Sequence, residues 1–242
     1  MIGPQVDKVQ TQLVVGANSN PYPVIANSRL WLDRNRNVYT DTSGASLAPL
    51  DGTIGSWRAV GGAWGTDLLT QPTGASQPII RSNGIQCDGT DDRLLLPSSI
   101  SLAGNWTMYV VSSRGGSTET IQWANNNGTG ILGNFGGSQF YNFPNGTGAF
   151  TDAYTALCIR RYRNISGTTG FLKFPGTAEG SQVVSSGLTW DRIFGRTGES
   201  NSSGVRFRQL VFVQKTITPD DADDLAIRAK LLELEPGTTD LT

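Results

Sequence analysis

The feature that most constrains the fold is a long series of short apolar segments, separated by turn-forming residues, from residue 28 onward. They include GSWRAV, QPIIRS, GIQCDG, RLLLP, WTMYVVSS, GILGNF, TALCIRRYR, TGFLKF and VRFRQLVFVQK. The last segment alternates with a period of two, which predicts a core-facing row (Val205, Phe207, Val211, Val213) and a row facing solvent or a partner (Arg206, Arg208). Many short strands joined by Gly-rich turns are typical of a sandwich or jelly roll.

The composition agrees with this pattern. The chain has 242 residues, of which 30 are Gly and only 16% are charged, whereas helical proteins are rich in Glu, Lys and Ala. A chain of this length suffices for one large β domain. We therefore predict an all-β, antiparallel jelly-roll β-sandwich over residues 28–242.

One segment near the C-terminus predicts a helix over about 219–235. Thr218 can cap it, Pro219 suits the first helical position, and Pro236 with Gly237 ends it. We predict an apolar stripe formed by Leu225, Ala229, Leu231 and Leu232. The aspartates at 220, 221, 223 and 224 could be a metal cluster, but the favourable electrostatics of a helix start explains them more simply.

Residues 1–27 differ from the rest of the chain. The segment VDKVQTQLVV has a few apolar residues that it cannot bury alone, and the segment that follows is rich in Pro and other turn formers. We interpret residues 1–27 as an arm and linker that packs on another molecule. The alternative, which the sequence leaves open, is an extra edge strand of the same sandwich.

Charge and hydropathy argue against two classes of partner. The net charge is −1, so we expect no general attraction to nucleic acid or to an anionic membrane. No apolar run approaches the roughly 20 residues of a membrane span, and the first ten residues lack the pattern of a secretory signal. The two cysteines, Cys87 and Cys158, lie in apolar segments and are predicted to be buried thiols, with one disulfide as the alternative.

An ordered set of motifs carries a family resemblance. The motifs are LWLD (30–33), GSWRAVGG (55–62), QPII (77–80), IQCDGTDDRLLLP (85–97), WTMYVV (106–111) and the strand–helix segment 207–234. In this order they resemble the concanavalin A-like, laminin G-like jelly-roll domains of tailed-bacteriophage virion proteins. The resemblance covers about residues 28–235 and implies a sandwich closed by a short capping helix.

The segment 85–97 raises the question of a metal site, because Asp88, Asp91 and Asp92 lie between two apolar runs. The resemblance implies a turn between core strands, in which Asp88 and Asp91 accept backbone N–H groups and Gly89 adopts an unusual φ. Asp92 is then expected to face water or Arg93. Calcium is the alternative, since laminin G-like relatives sometimes bind it. Calcium needs at least about six oxygens from several segments, so we predict no cofactor.

The residue types present argue against catalysis. The chain contains no histidine, which removes Ser-His triads and His-ligated metals. The laminarinase-type glucanases share this sandwich and place Glu-x-Asp-x-Glu on one strand, but none of the five glutamates here forms that motif (Glu119, Glu179, Glu199, Glu233, Glu235). We predict that the protein is not an enzyme, and glycan hydrolysis is the least favoured function.

Two sets of residues could serve recognition. Aromatic and amide side chains between 121 and 150 are suited to sugars, which nominates Trp123, Asn125, Asn126 and Tyr141 for glycan binding. The alternative is that these aromatic residues belong to the core of a β meander. Arg160, Arg161 and Arg163 could form an interface to an acidic neighbour, and a solvated sheet face is the alternative.

Together these observations predict a non-enzymatic virion component, made in the host cytoplasm and displayed as capsid decoration, head fibre or tail appendage. Residues 1–27 would attach it to capsid or tail proteins, and we expect a homo-oligomer, a trimer being common at three-fold positions. The second hypothesis is a carbohydrate-binding, lectin-like module that binds cell-surface glycans.

Overall fold

A computed structural model of the protein describes residues 22–61, 67–115, 122–124, 131–135, 138–143, 146–151, 155–165, 169–183, 189–196, 199–200 and 204–242. Of the strands between 122 and 151, and of residues 182–183, 196 and 199–200, it describes the backbone alone.

The described residues form nineteen strands and one α-helix. The strands are β1 Ser28–Asp33, β2 Val38–Tyr39, β3 Ser56–Arg58, β4 Leu68–Thr70, β5 Ile79–Arg81, β6 Gly84–Gln86, β7 Leu94–Ser101, β8 Trp106–Ser113, β9 Gln122–Ala124, β10 Ile131–Phe135, β11 Ser138–Phe143, β12 Gly146–Thr151, β13 Cys158–Ile165, β14 Thr169–Lys173, β15 Gly180–Val183, β16 Thr189–Ile193, β17 Gly195–Arg196, β18 Glu199–Ser200 and β19 Arg206–Val213. Helix α1 spans Ala222–Leu234, and a short 3-10 helix covers Gly74–Ser76.

Two antiparallel sheets pack face to face. In the first sheet the strand order is β15-β14-β13-β8-β19-β6-β5, and β1 pairs with the C-terminal part of β19. In the second sheet the order is β12-β11-β10-β9-β16-β7-β4-β3-β2, and β17 with β18 forms a separate two-stranded ribbon. This arrangement confirms the predicted all-β antiparallel sandwich with a single C-terminal helix.

The main core lies between the two sheets and is rich in large aromatic side chains. The ring of Phe194 lies 5.1 Å from that of Phe207 and 6.4 Å from that of Trp57, between ring centroids. Phe194 has φ +76°, a conformation that is costly for a bulky residue. Burial of the ring among these aromatic partners offsets that cost.

Strand β19 departs from the simple alternation that its sequence predicts. A bulge between Phe207 and Gln209 shifts the register, so Val205 and Phe207 face the main core whereas Val211 and Val213 face the opposite side of the sheet. The prediction of one continuous row was therefore wrong. Both faces of the strand are buried, because a second core covers the outer face of the first sheet.

Helix α1 supplies that second core. Its Ile227 and Leu231 pack with Tyr109, Val111, Ile159, Val211 and Val213 of the first sheet. The predicted stripe was right for Leu231, which is buried, and for Leu232, which is partly buried against the second core. It was wrong for Leu225, which is 51% exposed, and for Ala229, which is also exposed. The helix face that meets the sheet therefore also includes Asp224 and Arg228, which are buried.

The helix begins later than its sequence predicts. Asp221, rather than Thr218, is the N-cap residue, and its Oδ1 accepts the backbone N–H of Asp224 at 2.9 Å. The other oxygen of Asp221 accepts the backbone N–H of Thr218 at 3.0 Å. Asp220 has φ +61°, which breaks helical geometry just before the cap.

The described chain begins and ends on the same outer face. The hydroxyl of Tyr22 donates to Asp33 Oδ2 at 2.7 Å, and its ring lies 4.9 Å from that of Trp31. Ile25 and Leu241 are buried in the same second core. Residues 22–27 of the predicted arm thus pack on the sandwich, whereas residues 1–21 lie outside the described residues.

Candidate functional site

The turn between β6 and β7 is the one place in the described part of the chain where three candidate metal ligands converge. Asp88 Oδ1 accepts the backbone N–H groups of Thr90 at 2.7 Å and Asp91 at 3.3 Å, and Gly89 has φ +89°. This is the Asx-type turn that the sequence predicts for Asp88 and Gly89. Asp91 differs, because its Oδ2 accepts the hydroxyl of Ser76 at 2.6 Å rather than a backbone group.

Asp92 was expected to face water or Arg93, and this expectation was wrong. Its side chain turns inward: the residue is only 4% exposed, and its Oδ2 accepts the backbone N–H of Asp88 at 2.8 Å. Burial raises the pKa of Asp92 to about 6; the Asp88 N–H opposes this shift, and the nearby carboxylates of Asp88 and Asp91 add to it. Arg93 instead donates to the backbone oxygen of Asp91 at 2.9 Å.

Asp88, Asp91 and Asp92 are the described residues best placed to hold a cation. One carboxylate oxygen of each lies within 4.8 Å of the others. Calcium takes about six to eight oxygens. The three carboxylates already accept protein N–H or O–H groups, so their arrangement is accounted for by the turn itself.

The predicted basic residues of β13 are buried and paired inside the chain. Arg161 Nη1 donates to Asp224 Oδ1 at 2.7 Å, and Arg163 forms an ion pair with Glu179. Arg160 projects into the main core and donates to the backbone oxygen and the hydroxyl of Ser112, both at 2.9 Å. The acidic partner that the sequence analysis placed on another molecule is supplied to Arg161 and Arg163 by the same chain.

Asp224 is the centre of a buried polar cluster between α1 and the first sheet. Its Oδ1 accepts Tyr109 Oη at 2.6 Å, and its Oδ2 accepts Arg228 Nη1 at 3.1 Å. Burial opposes the charge on Asp224, but the hydrogen bonds from Tyr109 and Arg161 outweigh it and lower its pKa. Arg228 also pairs with Asp220, just before the helix, and with Asp240, near the C-terminus. Asp220 and Asp224 of the acidic helix start thus form structural ion pairs.

A second buried cluster anchors the other end of the helix. Glu235 accepts hydrogen bonds from Arg34 Nε at 3.0 Å and from Arg208 Nη1 at 2.9 Å. Gln209 Nε2 lies between two carboxylates and donates to Asp33 Oδ1 at 2.7 Å and to Glu235 Oε1 at 3.1 Å. This cluster was not predicted from the sequence, although Gln209 inside the apolar run of β19 indicates a buried polar contact.

The predicted glycan-binding residues lie only partly within the described chain. The backbone positions of Trp123 in β9 and Tyr141 in β11 are described, whereas Asn125 and Asn126 lie outside the described residues. Trp123 pairs with Ile193 on one side and with Leu132 on the other, and Leu132 pairs with Tyr141. These positions form one cross-strand row with Ile193, which is buried in the main core. The glycan assignment stays a prediction.

Both cysteines are free and buried, as the first of the two sequence interpretations predicts. The described helix is too short and too polar to cross a membrane.

Comparisons with known proteins define the class as a β-sandwich. The chain matches no protein-family profile and no curated protein sequence. Among solved structures, it is similar to the Trypanosoma rangeli sialidase in complex with a difluoro-KDN ligand, with a TM-score of 0.52 and 10% identity over 86% of this chain and 34% of the sialidase. It is also similar to the receptor-binding domain of botulinum neurotoxin D, with a TM-score of 0.51 and 15% identity over 85% of this chain and 53% of that domain.

The likeness therefore concerns the sandwich fold and only part of each neighbour. The chain spans about a third of the sialidase and about half of the toxin domain. At these identities, the shared feature is the packing of two antiparallel sheets, and function depends on the residues that each chain places on that frame.

Proposed function

We propose that this chain is a non-catalytic display domain, a β-sandwich head that the residues before Tyr22 attach to a phage-like particle. The observation that carries the proposal is the position of Tyr22, the first described residue, and of Leu241 near the C-terminus. Tyr22 and Leu241 lie in the same second core as α1, on the outer face of the first sheet. Helix α1 packs on this outer face of the first sheet, and in our proposal the same face lies on the attachment side.

The ordered motifs between residues 28 and 235 support a virion location, because they resemble jelly-roll domains of tailed-phage particles. The partner would then be a capsid or tail protein. We expect the head to self-associate, with a trimer as the expected state at a three-fold position.

The state of the described carboxyl groups supports a non-catalytic role. Asp224 and Glu235 are buried and paired with arginines, and these contacts lower the pKa of each carboxyl, which is unsuited to a general acid. Asp92 has a raised pKa, but its carboxylate is buried and accepts a backbone N–H group. Its position therefore favours a structural role over contact with substrate.

Deletion of residues 1–21 tests the attachment. The truncated protein should stay folded, because Tyr22 and Ile25 remain to complete the second core, and it should no longer co-sediment with particles. Leu50→Ser is a matched control, since this exposed loop residue lies outside both cores and its substitution should leave attachment unchanged. Equal co-sedimentation of truncated and full-length protein would refute the attachment role.

Glycan recognition is the second candidate function. It is supported by the fold shared with a receptor-binding domain of a toxin and by the predicted residues Trp123, Asn125, Asn126 and Tyr141. A glycan array should show signal for the intact protein and a loss for Trp123→Ala. Because position 123 is in register with buried Ile193, a loss of signal in Trp123→Ala is checked with a second variant, Asn126→Ala. An array silent across bacterial surface glycans would count against this function.

A further inference from the structure

A polar groove lies where β1 begins and β19 ends. It is an open groove of about 440 Å³, lined by Asn27, Ser28, Arg29 and Gln214. Pockets for small molecules commonly measure about 300–1,000 Å³. All of the lining side chains are polar, so the groove suits a hydrophilic ligand.

The backbone around the groove is fixed by the sheet. The backbone N–H of Gln214 donates to Asn27 O at 2.9 Å, and that of Ser28 donates to Ile25 O at 3.1 Å. Asn27 has φ +62°, a conformation that Asn tolerates better than most residues. Ser28 is in register with Val213, so both walls are formed before any ligand arrives.

Arg29 gives the groove its charge. Its Nε donates to Gln214 Oε1 at 2.7 Å, which orients the guanidinium group. Within the described residues Arg29 has no acidic partner, in contrast to the buried Arg34, Arg161 and Arg228. The two terminal nitrogens are thus available to a ligand, and their fork matches the geometry of a carboxylate.

We propose that this groove binds an acidic sugar. The ligand carboxylate accepts hydrogen bonds from the two terminal nitrogens of Arg29. The sugar hydroxyls form hydrogen bonds with Asn27, Ser28 and the amide of Gln214. Amide and hydroxyl groups both donate and accept hydrogen bonds, as sugar hydroxyls require. The inference rests on the second candidate function, glycan recognition, and is independent of particle attachment.

Binding of free sugars to the full chain tests the inference. Glucuronic and galacturonic acids should shift the backbone amide NMR signals of Asn27, Ser28, Arg29 and Gln214 saturably. Glucose, galactose and acetate should each bind about tenfold more weakly, because each lacks either the carboxylate or the hydroxyls. Arg29→Gln should weaken acidic-sugar binding about tenfold, and Arg29→Lys should do so to a smaller extent because it keeps the charge but loses the fork.

Arg81→Gln is the matched control. Arg81 is another partly exposed surface arginine, and it pairs with Asp51 away from the groove. Its substitution should leave sugar binding unchanged, and circular dichroism should show that every variant is folded.

Each opposing result has a distinct meaning. Acidic-sugar binding that survives Arg29→Gln would overturn the groove and leave glycan recognition standing elsewhere on the chain. Acetate binding as tight as that of the sugars would overturn the sugar specificity. Saturable shifts absent up to about 10 mM acidic sugar would overturn the whole inference. Arg29→Gln should leave particle co-sedimentation unchanged. A failure of the groove proposal can therefore be told apart from a failure of the attachment proposal.

Discussion

The hydroxyl of Tyr109, in the middle of the first sheet, donates a 2.6 Å hydrogen bond to Asp224 of helix α1. Burial, followed by the neighbouring charge of Asp224, raises the pKa of Tyr109 well above its usual range, so the phenol remains a donor at all ordinary pH values. This contact sets a buried carboxylate between the sheet and the helix, where Arg161 and Arg228 neutralise it. The helix is therefore positioned by charge as well as by its apolar face.

Substitution of Asp224 should destabilise the protein strongly. Asp224→Asn should lower the free energy of unfolding by about 3 kcal/mol, because it leaves buried arginines without their shared partner. Tyr109→Phe, which keeps the ring and the ion pairs, should cost about 1 kcal/mol. Urea unfolding measures both losses of stability. Glu233→Gln is the control, because Glu233 forms an exposed ion pair with Lys230 and its substitution should be nearly neutral. Equal costs for Asp224→Asn and Glu233→Gln would contradict the central role of Asp224.

The raised pKa of Asp92 should make the free energy of unfolding decrease as the pH rises. Its pKa is about 6 in the folded protein against an ordinary value of 3.8, so the folded state binds more protons between these values. The stabilisation from the protonated carboxyl is fully present below pH 3.8 and is lost as the pH rises through about 6. The free energy of unfolding falls by about 3 kcal/mol over this range. Asp92→Asn can keep the bond to the Asp88 N–H and should remove this loss.

The control for that pH profile is Asp51→Asn, because Asp51 is exposed and its carboxylate pairs only at the surface. Asp224 and Glu235 act in the opposite direction, since their lowered pKa values give stability that is lost as pH falls through the folded values. Chemical unfolding at pH 4 and pH 7 separates the two effects. An Asp92→Asn variant with the same pH dependence as the parent would refute the assignment.

Calcium should not stabilise the protein if the Asp88–Asp92 segment is only a turn. We expect the same thermal midpoint in excess calcium and in a chelator, because these carboxylates already satisfy protein donors. A saturable rise with calcium that disappears in Asp91→Asn would instead establish a metal site. In that variant the amide oxygen can still accept the hydrogen bond from the Ser76 hydroxyl. The turn is therefore kept, and only the charge of the carboxylate is removed.

Asn164 offers a route to higher stability. Its side chain is fully buried in β13, and neither its Nδ2 nor its Oδ1 has a hydrogen-bond partner in the described residues. Because an unpaired buried amide is costly, Asn164→Leu should raise the free energy of unfolding by about 1–2 kcal/mol. Thermal unfolding of the variant measures this gain. A loss of similar size would show that the amide is satisfied by buried water.

Two truncations should differ in stability. Removal of residues 1–21 should leave the unfolding midpoint near that of the parent, whereas removal of residues 1–27 also deletes Tyr22, its bond to Asp33 and its contact with Trp31. The longer truncation should cost about 3 kcal/mol, as expected for loss of a buried aromatic side chain. Equal midpoints would place the start of the folded head after Asn27.

The sequence by itself determined the fold class, because periodicity and turn residues act locally. The segment WTMYVVSS became β8 with its predicted bounds, and Gly89 has the positive φ that its turn requires. It also determined that a helix follows the last strand, since propensity and helix-stop signals are short-range.

Only the tertiary structure decided which polar groups meet. Arg161 and Asp224 are far apart in the chain, as are Asp33, Gln209 and Glu235, and no local pattern encodes such pairs. The bulge in β19 likewise reassigned Val211 and Val213 to a second core, because strand pairing and helix docking set the final register. Local sequence fixes backbone preference, whereas burial of a charge depends on distant segments that arrive to neutralise it.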